Sequence, residues 1–84
     1  MLARITGADK EEIREILRKD APFHAGEGLY LEYLWQNDDD REEVLFLFRT
    51  DDLDHARKLI AKLHSQAIKD DPNARLPQMT FLSD

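Results

Sequence analysis

Few side chains in this sequence have the types and spacing that a reactive or binding site requires. The three histidines are His24, His55 and His64. His55 and His64 are nine positions apart in a predicted helix, which turns them to roughly opposite sides, so they cannot bind one metal ion. We expect His55 on the solvent side and His64 at the edge of an apolar stripe. His24 lies in a predicted loop between a proline and two glycines, where binding residues often occur.

Tyr30, Glu32 and Arg49 fall on one side of two adjacent predicted strands. Burying a carboxylate and a guanidinium in apolar surroundings is costly unless the two groups pair or contact a ligand. Two interpretations remain open: a structural ion pair near a subunit interface, or a shallow pocket where Glu32 acts as acid or base and Arg49 holds an anion. The candidate ligand-binding residues are therefore His24, Tyr30, Glu32 and Arg49. No catalytic residue is predicted.

Signatures of other chemistries are missing. Asp38–Asp40, Glu42 and Glu43 form an acidic run, but their spacing does not match a calcium-binding loop, and a solvated turn is expected. The chain has no cysteine, which excludes disulfides, thiolate metal sites and a cysteine nucleophile. It also has no phosphate-binding glycine loop, nucleophilic serine motif or zinc motif. We expect no cofactor and no metal.

The element that must position these residues is a predicted β-hairpin between Gly28 and Thr50. Two apolar and aromatic runs flank a polar cluster, which is typical of two strands and a turn. A four-residue loop (37–40 or 38–41) would pair odd positions with even ones. Side chains alternate between the two faces of a sheet. One face would then carry Leu29, Leu31, Tyr33, Trp35, Val44, Phe46 and Phe48, and the other Tyr30, Glu32, Leu34, Leu45, Leu47 and Arg49.

The second of these faces is too apolar to lie in water. Its leucines and its tyrosine require a cover, and the cover could be a second subunit or a ligand. The aromatic residues of the first face could stack a planar ligand, but aromatic residues at this spacing are more typical of a hydrophobic core.

The remaining elements give the fold class. Residues 2–6 predict a short strand, although a helical start broken at Gly7 is the alternative. A helix follows from Asp9 to about Lys19, with Asp9 and Glu12 as a capping box and Pro22 as its stop. Phe23 is expected in the core. A longer helix covers 51–69 and a last strand covers 78–82. The order β-α-β-β-α-β predicts an α+β, ferredoxin-like fold with two helices on one face of an antiparallel sheet.

This order, together with the length and the two-sided hairpin, resembles the dimeric α/β-barrel superfamily. The resemblance implies that two ferredoxin-like subunits pack their exposed sheet faces together. It does not choose among the activities of that superfamily, which include monooxygenases and small isomerases.

Composition limits the function further. The 84 residues predict a single domain, and the net charge of −6 argues against nucleic-acid binding. No apolar run is long enough to span a bilayer and no signal peptide is visible, so we expect no membrane contact and a cytoplasmic location. Two functions remain: a homodimerising protein-interaction module, or a small-molecule-binding enzyme with a site between the two sheets.

Overall fold

Six secondary-structure elements follow one another in the predicted order. The computed structural model describes all residues from Met1 to Asp84. Its four strands form one antiparallel sheet in the order β2-β3-β1-β4. The α+β, ferredoxin-like arrangement is therefore confirmed. The elements are β1 (Leu2–Ile5), α1 (Lys10–Gly26), β2 (Leu29–Gln36), β3 (Val44–Thr50), α2 (Leu53–Asp70) and β4 (Gln78–Thr80).

The first strand, which the sequence leaves uncertain, is a central strand of the sheet. It pairs with β3 on one side and with β4 on the other. Ala3 and Ile5 are buried, and Gly7 ends the segment with a φ of 69°. Glycine populates this left-handed region without steric cost, and this freedom lets the chain turn from β1 toward α1.

Helix α1 is longer than predicted. Asp9 is its N-cap residue, although its side chain accepts no capping hydrogen bond, and the helix continues through Pro22 to Gly26. Proline inside a helix removes one backbone hydrogen bond. The last turn nevertheless packs on the sheet, because the His24 ring meets the Phe48 ring edge-on with centroids 5.1 Å apart. The prediction that Phe23 enters the core is wrong, since Phe23 is 47% exposed.

A β-bulge at Glu32 changes the pairing register between the two strands of the hairpin. Leu31 pairs with Phe48 and Tyr33 pairs with Leu47, so Glu32 is an extra residue in β2 with no partner of its own. Before the bulge, odd positions pair with even ones, as predicted. After it, Leu34 pairs with Phe46, and odd positions pair with odd ones.

The bulge reverses the predicted faces for the second half of β2. Cross-strand partners lie on the same face of a sheet, and a shift of one residue moves each side chain to the other face. Tyr33 and Trp35 therefore share a face with Leu47 and Leu45, their partners, and not with the buried Phe46. Leu34 instead packs against the hydrophobic core. The predicted face is wrong for Tyr33, Leu34 and Trp35, because regular alternation along a strand includes no extra residue.

The hairpin turn is also longer than the four residues predicted. Residues 37–43 connect the strands, and the Asn37 backbone donates to the Glu43 carbonyl at 2.9 Å. The Asn37 side chain organises the turn, since its Oδ1 accepts from the Asp39 amide and its Nδ2 donates to the Glu43 carboxylate. The acidic side chains from Asp38 to Asp40 are exposed in this turn.

The core lies between the helices and one face of the sheet, which we call the helix-covered face. Val44, Phe46 and Phe48 of β3 are buried on it. Both helices contribute, Leu17 from α1 and Ala56 from α2, which confirms that they cover the same face. The Asp52 side chain caps α2 by accepting from the His55 amide at 3.1 Å. The buried cluster consists of Met1, Ala3, Ile5, Leu17, Leu29, Val44, Phe46, Phe48 and Ala56.

Candidate functional site

The face of the sheet opposite the helices is uncovered, and we call it the open face. Its outer part is aromatic: Tyr33 and Trp35 lie in parallel planes, with ring centroids 5.1 Å apart and an interplanar angle of 6°. They are 56% and 44% exposed, although each ring is large and mostly apolar. By register, the open face carries Leu2, Arg4, Tyr30, Tyr33, Trp35, Leu45, Leu47, Arg49, Gln78 and Thr80.

A polar cluster occupies one corner of the open face. Tyr30 and Arg49 are cross-strand partners, and the Arg49 guanidinium lies 4.4 Å from the centroid of the Tyr30 ring. Asp51 accepts hydrogen bonds from both, at 3.3 Å from the Tyr30 hydroxyl and 3.3 Å from Arg49 Nη1. The carboxylate of Asp51 thus neutralises Arg49 and fixes the phenol.

An open groove of about 550 Å³ borders this cluster. Glu32, Arg49 and Asp51 line it together with apolar side chains, among them Leu47 and Leu82. The groove places three side-chain carboxylates, those of Glu32, Asp51 and Asp84, and one guanidinium beside a smaller apolar surface. Such a site can hold a small molecule that has an apolar body and one charged or hydrogen-bonding group.

The structure does not form the ion pair anticipated between Glu32 and Arg49. Arg49 bonds Asp51 instead, while Glu32 is exposed at the bulge and has no ion-pair partner within 4.0 Å. The Glu32 carboxylate lies in the same groove as the Met1 ammonium group, on which its charge acts, and it is exposed to a ligand or to a partner.

His24 lies apart from Glu32 and Arg49 and does not line their groove. Because α1 extends to Gly26, His24 belongs to the helix and not to a loop, and its ring contacts Phe48 on the helix-covered face. Burial lowers the pKa of His24, while the negative charge of Asp20 works in the opposite direction. The structure pairs Tyr30 with Arg49 and places Glu32 and Arg49 on one groove. His24 lies away from Glu32 and Arg49, but it lines a separate pocket of about 260 Å³ together with Tyr30.

The other two histidines also differ in environment. His55 is exposed, and its Nε2 lies 2.6 Å from the Glu27 carboxylate. His64 is half-buried, and burial lowers its pKa. No group of three or more histidine, aspartate or glutamate side chains in the chain is arranged to hold a metal ion.

Sequence reasoning missed Asp51 as a member of the polar cluster. The sequence predicts it only as the first residue of the helix 51–69. A signal was present, because Asp51 follows Arg49 by two positions, and the strand end places both near Tyr30 on the neighbouring strand. His64 lies at the edge of the apolar stripe of α2, as predicted. It also lines a cavity between the two helices, which the pattern of a single helix does not predict.

Two further findings bear on function. Neither helix combines the length and the apolar character that crossing a membrane would need. Comparisons with protein-family models, with curated proteins and with solved structures found no match to this chain.

Proposed function

We propose that this protein is a homodimerising interaction module that pairs two open faces, as the resemblance to dimeric α/β barrels suggests. The observation that carries the proposal is the stacked pair Tyr33–Trp35, which is exposed beside Leu45 and Leu47 on a sheet face with no helix over it. Tyrosine and tryptophan are enriched at protein interfaces, and exposed apolar patches mark interaction sites.

The charge on the open face supports a second copy of the chain as the partner. The protein carries a net charge of −6, so two copies repel each other at most orientations. The charged side chains on the strands of this face are Arg4, Arg49 and the bulged Glu32, and the two arginines pair with Glu43 and Asp51. An acidic chain can therefore approach itself here without placing like acidic surfaces together.

The size of the face also suits a dimer. The molecule measures 32 × 31 × 23 Å, and its broad side is large enough for the roughly 800 Å² per partner that a standard interface buries. A two-fold axis would bring the same surface of each chain together. The aromatic pair would then lie in or next to the apolar centre of the interface.

The experiment is sedimentation equilibrium on dilution through the micromolar range, with two matched variants. Trp35→Glu places a charge on the open face, and Phe23→Glu places one at a similarly exposed aromatic position on α1. We expect a dimer for the wild type and for Phe23→Glu, and a monomer for Trp35→Glu. Circular dichroism checks that both variants are folded.

Trp35 gives a second measurement, because it is the only tryptophan. Its emission should shift to longer wavelength as the dimer dissociates and the ring enters water. A wild-type protein that is monomeric throughout, or a dimer that survives Trp35→Glu and is lost in Phe23→Glu, would contradict the proposal.

A second function is supported by the groove beside Glu32 and Arg49. Here the dimer would be an enzyme or carrier of the α/β-barrel type, with a small anionic organic molecule held by Arg49 and a proton moved by Glu32. The volume of about 550 Å³ falls within the range of ligand sites. Against it, Arg49 is already neutralised by Asp51.

Benzoate titration followed by NMR tests this second function. Binding through the groove should shift the resonances of Tyr30 and be weakened by Arg49→Gln. The control is Arg41→Gln, which removes an exposed arginine in the hairpin turn. Equal affinity in both variants, or no saturable binding by the wild type, would leave the interaction module as the better description.

A further inference from the structure

A second concave site lies on the other side of the sheet, between the two helices. This interhelical cleft has a volume of about 280 Å³. Its floor is the helix-covered face, with Phe46 and Phe48, and its walls come from α1 and α2. Ile16 and Leu63, one on each wall, are 51% and 37% exposed. The helices thus leave part of the apolar core open to solvent.

The lining of the interhelical cleft offers water molecules few hydrogen-bond partners. Most of its sixteen lining residues are hydrophobic, whereas a buried water needs two to four polar partners. An apolar molecule that fills the space would replace poorly bonded water and cover the exposed walls, which is favourable. The volume lies just below the range of about 300–1,000 Å³ that is usual for ligand sites, so the ligand must be small.

Four polar side chains border the cleft and limit the chemistry of the ligand. Asp20 and Arg75 have opposite charges, and Arg75 already donates to the Gly7 carbonyl. His24 and His64 face the same space from different helices. A neutral imidazole offers one donor and one acceptor, which suits a hydroxyl group better than a charged one.

The rest of the chain does not fill this space. The C-terminal residues from Leu82 to Asp84 line the groove beside Glu32, and none of them lines the interhelical cleft. The cleft also lies on the side of the sheet away from the open face, so a dimer formed through the open face would leave it accessible.

We propose that the interhelical cleft is a binding site for a small uncharged molecule with an aromatic or branched apolar body and a hydroxyl group. The apolar body contacts Phe46, Phe48 and the two helix walls. The hydroxyl group bonds the imidazole of His24 or His64. This site differs from the groove at Arg49, with which it shares only Met1 and Phe48.

The test uses 1-naphthol, an uncharged aromatic alcohol, titrated into the full chain near neutral pH. Calorimetry gives the affinity, and NMR follows the histidine ring protons. We expect saturable binding of one molecule per chain, with shifts at His24 and His64 and none at His55, which lies outside the cleft. The absence of saturable binding, or shifts confined to Tyr33 and Trp35, would overturn the proposal.

Matched variants locate the site. Leu63→Glu charges one wall of the cleft, whereas Ile68→Glu charges a position on the same helix that is similarly exposed, at 41%, but does not line the cleft. We expect at least a tenfold loss of affinity for Leu63→Glu and less than a twofold change for Ile68→Glu. Ile16→Glu, on the opposite wall, repeats the test if Leu63→Glu does not fold. Equal losses in cleft and control variants would overturn the assignment.

Discussion

The two faces of the sheet are both apolar, but they differ in what covers them. On the helix-covered face, Val44 and Phe48 of β3 are 0% and 4% exposed. On the open face of the same hairpin, Tyr33 and Trp35 are 56% and 44% exposed. The first set is aliphatic or phenyl, while each open-face ring carries a hydroxyl or indole N–H group that can bond water.

This difference shows that a small domain can fold and still leave apolar surface exposed, which association can then bury. The buried side chains stabilise the monomer, because burial has already removed them from water. The open-face aromatics contribute little to that stability, and their burial remains available to an association. Substitutions on the two faces should therefore separate folding from binding.

The largest expected effect is that of Phe46→Ala. Removing a buried phenylalanine from a core typically costs about 3–5 kcal/mol of unfolding free energy, which is a large part of the stability of an 84-residue domain. Tyr33→Ala on the open face should cost less than about 1 kcal/mol. Urea unfolding of both variants at one low protein concentration measures the two costs. Similar costs would mean that the open face is covered in the monomer.

The next prediction concerns the bulge that assigns the aromatic residues to the open face. Deleting Glu32 removes the extra residue, so that Leu31 and Tyr33 become neighbours and the pairing with Phe48 and Leu47 is continuous. Every other side chain keeps its face. We expect the unfolding free energy to change by no more than about 1–2 kcal/mol, because only the unpaired residue is lost.

Deletion of Leu34 is the control. It leaves the bulge in place and moves Trp35 toward the helix-covered face, where Leu34 packs now. This shift places a large ring in a well-packed region, and the loss should reach several kcal/mol. If the Glu32 deletion is instead as damaging as the Leu34 deletion, β2 has no bulge and the predicted regular ladder is correct.

The bulge also marks the limit of what the sequence could predict. Alternating positions in β3 and the stripes of both helices follow from periodicity, because each apolar residue reports its own environment. One extra residue in β2 leaves the types of its neighbours unchanged, so Tyr33 and Leu34 look equally suitable for either face. Likewise, the residues of α1 indicate an apolar stripe, but not how far α2 lies from it.

The candidate site was predictable to the extent that it depends on local pairing. Tyr30 and Arg49 pair with each other on the side of the bulge where the predicted register holds, and they share one face of the sheet as predicted. The predicted loop position of His24 is wrong because the local rule makes Pro22 a helix stop. The helix continues through Pro22, and the contact of the His24 ring with Phe48 was a tertiary interaction that a local rule cannot include.

A smaller effect is expected at the entry to β2. Gly28 has a φ of 74°, and a Cβ there would lie 3.3 Å from the Asp51 Cβ atom. Gly28→Ala should therefore cost about 1–2 kcal/mol, from backbone strain. Gly26 is the control, since a Cβ there meets nothing within 4 Å and Gly26→Ala should be neutral or slightly stabilising. Thermal unfolding ranks the two, and equal losses would contradict the left-handed conformation of Gly28.

The smallest expected effect is a pH dependence of the unfolding free energy that arises from two histidines on the helix-covered side of the sheet. The pKa values of His24 and His64 are lowered from 6.5, mainly because burial on the helix side disfavours their charged forms. Well above the unfolded pKa of about 6.5 both histidines are neutral in the folded and unfolded chains, and their contribution to stability is complete. As the pH falls toward and below that value, the unfolded chain binds protons first, so the unfolding free energy decreases. The decrease ends once the pH passes below the folded pKa values.

His64→Gln should remove part of this pH dependence. The unfolding free energy of wild type and variant is compared by urea titration at intervals from about pH 7.5 to about pH 5.5, the interval that contains the unfolded histidine pKa. The difference in slope belongs to His64, since the acidic groups titrate alike in both proteins. Ser65→Ala, a neighbouring exposed position, keeps the histidines and should keep the wild-type slope. An unchanged slope in His64→Gln would mean that the wall of the interhelical cleft at His64 is open to water.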